Sequence, residues 1–172
     1  MDLKSKIRVI EDFPKEGISF KDITTLLKDK EVFQETINQL AEAVKDIEFD
    51  YILGIEARGF IVGAPLAYKL NKGFVPVRKP GKLPGEVIEK SYDLEYGSNS
   101  IEIHADVLSE GDKVLVLDDL LATGGTALAA TKLVEATGAE VVCVGFLIEL
   151  TDLKGMDLLK DYKTFSIVKF NK

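Results

Sequence analysis

Two adjacent carboxylates, Asp118 and Asp119, stand shortly before Ala122-Thr123-Gly124-Gly125-Thr126. Glycines let a backbone curl until its N–H groups converge, and threonines add hydroxyl donors. Such a bend at the start of a helix is an anion site, because the helix N-terminus adds a partial positive charge. Carboxylates beside a phosphate are unfavourable unless a second group binds there. Sugar hydroxyls are such a group, since a carboxylate accepts their hydrogen bonds. One compact stretch could thus hold the 5-phosphate and the ring hydroxyls of a phosphorylated ribose. The plain alternative is a Gly-rich turn with solvated aspartates. A Walker loop is excluded because Gly-x-x-x-x-Gly-Lys-Ser/Thr is absent. The dinucleotide fingerprint is excluded because Thr-Gly-Gly-Thr lacks its third glycine.

The elements that hold this stretch follow from its neighbours. Val114 to Leu117 is a run of branched apolar residues, the pattern of a buried parallel strand that ends at the acid pair. A loop from Ala122 to Thr126 and a helix to Ala136 follow, with Thr137-Gly138 as its C-terminal cap. Phe33, Ile37, Leu40, Val44 and Ile47 predict a helix over 30–47 with Asp29 as N-cap. A strand begins at Asp50 and leads through Glu56-Ala57-Arg58-Gly59 into a helix over 60–70, where Pro65 is tolerable only near the first turn. Residues 74–79 form a strand that Pro76 places near an edge or a bulge. Val87 to Leu94 and Ile101 to His104 form a hairpin around Gly97 to Ser100. Glu140 to Ile148 is another buried strand, Leu153 to Lys160 a short helix, and Phe165 to Phe170 a closing strand, antiparallel at an edge. Leu3, Ile7 and Ile10 give residues 1–12 a short helical pattern. Strands alternating with helices indicate an α/β fold with a parallel sheet, and 172 residues suit one domain.

Composition removes several function classes. Hydrophobic residues make up 46% and charged residues 30% of the chain, so a sizeable core and a soluble surface both fit. A net charge of −7 argues against nucleic acid or an anionic membrane as partner. An anionic small ligand therefore needs a local basic cluster. Cys143 and His104 are the only residues of their types, which excludes an intrachain disulfide and leaves almost nothing for a His-based metal cluster or a Ser-His-Asp triad. The start, Met1-Asp-Leu-Lys-Ser5, has neither a signal peptide nor a membrane span, and the expected location is the cytoplasm.

Local cations and aromatics supply the remaining candidates. Arg58 with Gly59 sits at the carboxyl end of a strand, where open parallel sheets bind ligands, and could present a guanidinium and an N–H to a pyrophosphate. Arg58 reads equally as a surface arginine paired with Glu56. Arg78, at the end of the preceding strand, and Lys79 and Lys82, in the Pro/Gly-rich stretch 79–85, concentrate positive charge in a segment that reads as a flap or as a solvated face. Phe13, Ile18 and Phe20 are apolar in a loop broken by Pro14 and Gly17, where they either pin the loop or meet a ligand.

Val116-Leu-Asp-Asp-Leu-Leu-Ala-Thr-Gly-Gly-Thr126 resembles the phosphoribosyl-pyrophosphate motif of the type I phosphoribosyltransferases, and its Leu-Leu-Ala spelling is similar to the adenine-specific branch. Four separated motifs in the family's order extend the resemblance over nearly the whole chain. It implies a mainly parallel five-stranded central sheet flanked by helices, with a small hood and a flexible flap. In one domain over 1–172, segment 1–30 would carry an adenine-contacting loop and 79–104 the flap and hairpin. The implied reaction moves 5-phosphoribose from its 1-diphosphate to adenine, yielding AMP and diphosphate in purine salvage. Mg²⁺ would ride on substrate oxygens, and the protein would be a homodimer with Arg78 serving the neighbouring site. Carried over residue by residue, Phe20 stacks on the base opposite Leu120, while backbone groups at Ser19 and Lys21 meet its N1 and 6-amino edge. Family members often have Val and Arg at those two positions, so backbone contacts would tolerate the change where side-chain contacts would not. Glu95 takes the purine proton, and Tyr96 helps to close the hood. The alternatives are a phosphoribosyltransferase for another base, such as xanthine, and a non-catalytic phosphoribosyl-pyrophosphate sensor that regulates transcription. The acidic charge and the dozen or so residues before the first motif disfavour the sensor.

Overall fold

The structure is a computed structural model that describes residues 1–93 and 97–171. In chain order, a 3-10 turn (Lys4–Lys6) leads to strand β1 (Arg8–Ile10), followed by β2 (Phe20–Asp22), the one-turn helix α1 (Thr24–Leu27) and α2 (Lys30–Ala43). Then come β3 (Tyr51–Ile55), α3 (Arg58–Leu70), β4 (Gly73–Val77), β5 (Val87–Asp93) and β6 (Ser98–His104). The chain continues with β7 (Lys113–Leu121), α4 (Gly125–Ala136), β8 (Glu140–Leu150), two 3-10 turns (Thr151–Leu153 and Gly155–Leu159) and β9 (Thr164–Phe170).

Among the described residues, the branched apolar runs assemble into a five-stranded sheet in the order β4-β3-β7-β8-β9, with every neighbouring pair parallel. Both faces are covered, as such runs require. Ile52, Leu115 and Leu117 pack with Leu40 of α2 and Leu66 of α3. Leu53, Val114 and Val116 pack with Leu133 and Val134 of α4 and with Ile101 and Ile103 of β6. The chain lays down β3, steps outward through α3 to β4, and later returns to the other side of β3 as β7. That reversal makes a topological switch point between β3 and β7, where the loops diverge and leave a crevice at the carboxyl ends.

Several local expectations are corrected by tertiary pairing. β7 does not stop at the acids: Asp118 pairs with Phe146, Leu120 with Ile148 and Leu121 with Glu149, so β8 carries the ladder past them. Likewise β8 runs on to Leu150. β9 lies at the sheet edge as expected but is parallel, because 151–163 is long enough to cross back over the sheet. That crossover holds two 3-10 turns where a short helix was expected. The N-terminal pattern becomes a turn and a strand: Arg8, Val9 and Ile10 pair with Asp22, Lys21 and Phe20. Leu3 and Ile7 are buried nonetheless, so the apolar spacing reported burial and not helix.

Asp22 secures this strand pair, accepting a hydrogen bond from Arg8 Nε at 3.0 Å and others from the Thr24 hydroxyl and N–H. The Thr24 hydroxyl and the Arg8 guanidinium hold its carboxyl down to about 2.

Helix α2 is capped by Asp29, which accepts from the N–H groups of Glu31 and Val32, but ends at Ala43, with Val44 and Ile47 buried or packed in the following turn. Pro65 lies in the middle of α3 instead of its first turn. It removes the donor for the Ile61 carbonyl, and Ile61 is exposed, so water can satisfy that group. Pro76 sits on β4, the edge strand, where no ladder partner needs its missing N–H. In the hairpin, Ser98 to Ser100 belong to β6, pairing with Asp93, Tyr92 and Ser91, and not to the turn.

Candidate active site

A cavity of about 440 Å³ opens at the switch point, a size suited to a small organic ligand. Asp118, Asp119, Leu120 and the whole bend from Ala122 to Thr126 line it, together with Arg58 and Lys79. The bend forms because β7 must hand over to α4 within three residues, Ala122–Gly124. Gly124 does so at φ +93°, in the left-handed region open to glycine, and no side chain caps the helix that starts at Gly125. Its first N–H groups are therefore left to a ligand or to water.

Gly155, which the local sequence did not mark, supports this bend from behind. A Cβ on Gly124 would lie 2.7 Å from the Gly155 carbonyl oxygen, and one on Gly155 would lie 2.5 Å from the Ala122 carbonyl oxygen. Two backbones meet here with no room for side chains. Replacing Gly124 by alanine adds left-handed strain to this clash, so a loss of about 2–4 kcal/mol of stability is expected. Urea unfolding checks it, and a variant as stable as the wild type would mean that the bend relaxes freely.

The acids are bound into the site unequally. Asp118 Oδ1 accepts the Asp119 N–H at 2.8 Å. Arg58 Nε lies 2.8 Å from Asp119 Oδ2, yet that buried oxygen accepts no aligned hydrogen bond. Burial first, and then the neighbouring Asp119 charge, push the Asp118 carboxyl well above the usual carboxylate range. The pair thus resists carrying two negative charges. Gly59, buried in the first turn of α3, packs against Asp118: a Cβ there would stand 3.0 Å from Oδ1.

Arg58 pairs with Asp119 and not with Glu56, whose partner is Arg78, with Nε 2.7 Å from Oε1. Burial pushes Glu56 up, but the hydrogen bond and charge of Arg78, aided by Lys79, outweigh it and hold the carboxyl below its ordinary value. Strand order explains the exchange. Glu56 follows β3 and Arg78 follows β4, which are neighbours, while β7 brings Asp119 to the other side of β3.

The aromatic end is joined to the acids through the same arginine. The Arg58 guanidinium lies 5.2 Å from the centroid of the Phe20 ring, a cation–π contact. Phe13 meets Phe20 edge-on at 5.1 Å. Phe20 itself does not line the cavity, whereas Leu120 does. Ser19 accepts a hydrogen bond from Lys21 Nζ at 2.6 Å and donates to Glu11 at 3.2 Å. Lys21 is 3% exposed, and burial lowers its pKa against the pull of Glu11. In the basic stretch, Lys79 reaches the cavity but Arg78 and Lys82 do not line it. The buried carboxylate of Glu102 accepts the Gly81 N–H at 2.7 Å and ties down the root of that stretch. Glu95 and Tyr96 lie outside the described residues. Cys143 is buried, which pushes its thiol up to about 11 and leaves it inert.

Residues 18–172 match the phosphoribosyl transferase domain family. The chain is 60% identical over 170 residues to the adenine phosphoribosyltransferase of Alkaliphilus metalliredigens (strain QYMF), covering 99% of this chain and 100% of that one. The crystal structure of adenine phosphoribosyltransferase from Thermoanaerobacter pseudethanolicus superimposes with a TM-score of 0.96 at 54% identity, covering 98% of each chain. The Saccharomyces cerevisiae enzyme, complexed with an imino-altritol bisphosphate and adenine, does so at 0.91 and 41% identity, covering 96% of each. The chain belongs to the adenine phosphoribosyltransferase family.

The parallel sheet and its flanking helices are accordingly a type I phosphoribosyltransferase fold. In this member of the adenine phosphoribosyltransferase family, the acid pair, the threonine-glycine bend, Arg58, Lys79 and Leu120 converge on one cavity. Two neighbours of the bend went unmarked in the sequence, Gly155 behind it and Tyr92 in front. Tyr92 reads as an ordinary strand residue in an alternating hairpin, and only the packing of β5 on α4 reveals its place. Among the described residues, no helix is long and apolar enough to cross a membrane.

Proposed function

We propose that this chain transfers the 5-phosphoribosyl group of 5-phospho-α-D-ribose 1-diphosphate to N9 of adenine, giving AMP and diphosphate in purine salvage. The observation that carries this reading is the joining of an uncapped helix start, a carboxylate pair and an arginine in one cavity of ligand size. Ala122, Thr123, Gly124, Gly125 and Thr126 would hold the 5-phosphate, and Asp118 and Asp119 the ribose hydroxyls. Arg58, Gly59, Lys79 and Lys82 would steady the diphosphate. Phe20 and Leu120 would sandwich the base. Its N1 and 6-amino edge would meet backbone groups of Ser19 and Lys21. β1, β2 and the β5–β6 hairpin would form the hood, and 79–85 the flap.

In the reaction the C1–oxygen bond breaks with its electron pair leaving on the diphosphate, and the N9–C1 bond forms. Glu95 takes the purine proton, and Tyr96 helps to close the hood. Water must be kept from the activated C1, so closure matters more than covalent help from the protein.

Among the described residues, no group of three or more His, Cys, Asp or Glu is placed to hold a metal ion. Asp118 and Asp119 can nevertheless offer hard oxygens, and the buried Asp119 Oδ2 lacks an aligned donor. Asp118 and Asp119 would thus help to hold a substrate-carried Mg²⁺, a hard cation that favours carboxylate oxygens. When bound, such an ion supplies positive charge against the leaving diphosphate.

The protein would act in the cytoplasm as a homodimer. For Arg78 to serve a neighbouring site, its pairing with Glu56 would have to open.

A base panel tests the reading. AMP should form from adenine, with at most traces of product from hypoxanthine, guanine or xanthine. A preference for a 6-oxo base would overturn the adenine assignment, and no product from any base would overturn the enzyme.

A further inference from the structure

Strand β5 reaches the bend through the side chain of Tyr92. Thr126 Oγ1 donates to the Tyr92 hydroxyl at 3.0 Å, and Tyr92 lines the cavity. Its ring lies over the start of α4, with an edge carbon 3.4 Å from where a Cβ on Gly125 would stand. Gly125 does not have the positive φ of Gly124, so its missing side chain matters for the approach of the ring and not for the turn. Two facing hydroxyls use one proton in the bond between them and keep the other. A lone threonine hydroxyl would be free to rotate, whereas the pair holds its remaining proton in a restricted set of directions.

We propose that Tyr92 is a binding residue of the sugar-phosphate site: its oxygen accepts the Thr126 proton, so that its own hydroxyl proton is kept for a phosphate oxygen. It also ties β5 to the occupied bend, three positions before Glu95 in the chain. The inference rests on the reading of Ala122–Thr126 as the 5-phosphate site.

Wild type, Tyr92→Phe, Thr126→Val and the double variant are titrated with AMP and, separately, with adenine. Tyr92→Phe keeps the ring packing and removes only the hydroxyl. It is expected to weaken AMP binding about 3- to 10-fold, the range of one hydrogen bond, while adenine binds as in the wild type. The double variant is expected to lose little more than the weaker-binding single variant, because the two hydroxyls act as a unit. If Thr126→Val weakens AMP and Tyr92→Phe does not, the role of Tyr92 falls and the phosphate site stands. Equal losses for AMP and adenine, or additive losses in the double variant, would also overturn the pairing. If neither variant changes AMP affinity, the hydroxyl pair makes no contact with the phosphate and the proposal falls, whereas the functional reading falls only if no base yields product.

Discussion

Converting Asp118 and Asp119 together to asparagine is expected to weaken binding of phosphoribosyl pyrophosphate about 10²- to 10⁴-fold, since two hydrogen bonds to charged acceptors contribute about 1.5–3 kcal/mol each. Removing the negative charge of the pair would by itself favour a highly anionic substrate. Weaker binding therefore reports the exchange of carboxylate acceptors for weaker amide ones and not the change in net charge. Stability should move the other way in the single variant Asp118→Asn. Burial and the Asp119 charge raise the Asp118 pKa in the folded protein, so the folded state holds a proton that the unfolded chain has released. Stability contributed by that proton is present below the ordinary carboxylate range and is lost as pH rises through the raised value. Asparagine escapes this loss. The variant should exceed the wild type in urea stability at neutral pH, and the difference should shrink as pH falls toward the ordinary carboxylate range. Calorimetric titration and urea unfolding at two pH values check both halves. An unchanged dissociation constant would refute the ribose role of the acids.

Glu95→Gln is expected to lower kcat about 10²- to 10⁴-fold, the range for a lost general base, with substrate affinities changed by little. Glutamine keeps the size and one acceptor oxygen of glutamate but cannot take up a proton at neutral pH. An effect confined to turnover would mark Glu95 as the group that manages the purine proton, and equal losses in kcat and in adenine affinity would assign it to binding. Single-turnover measurement of AMP formation separates the two, because it excludes product release. The proton has few other destinations: His104 is the only histidine in the chain, and the sequence places it at the end of the returning hairpin strand.

The chemistry of the site was legible where it is local. Val114 to Ala136 carries strand, acids, bend and helix in one contiguous stretch, and each part has its own signature in side-chain type and spacing. The N-cap at Asp29 and the edge position of Pro76 were legible for the same reason, because backbone hydrogen-bond chemistry decides them residue by residue. The partner of Arg58 was not. Glu56 is close in sequence, but the chain passes from β3 through α3 to β4, which delivers Arg78 to Glu56 and leaves Arg58 to Asp119. The N-terminal strand was missed in the same way: Leu3, Ile7 and Ile10 repeat at helical spacing, yet the pairing of β1 with β2 outweighs that weak preference.

From sequence alone, the burial of the strands, the position of the threonine-glycine bend and the family's motifs could be read, because burial and turn chemistry depend on each residue and its near neighbours. Tertiary structure alone decided the direction of β9, the support of Gly124 by Gly155, the contact of Tyr92 with Thr126 and the choice of ion pairs. Those depend on which strands lie side by side, and strand order is set by the packing of the whole sheet and its helices, which no local pattern of side chains encodes.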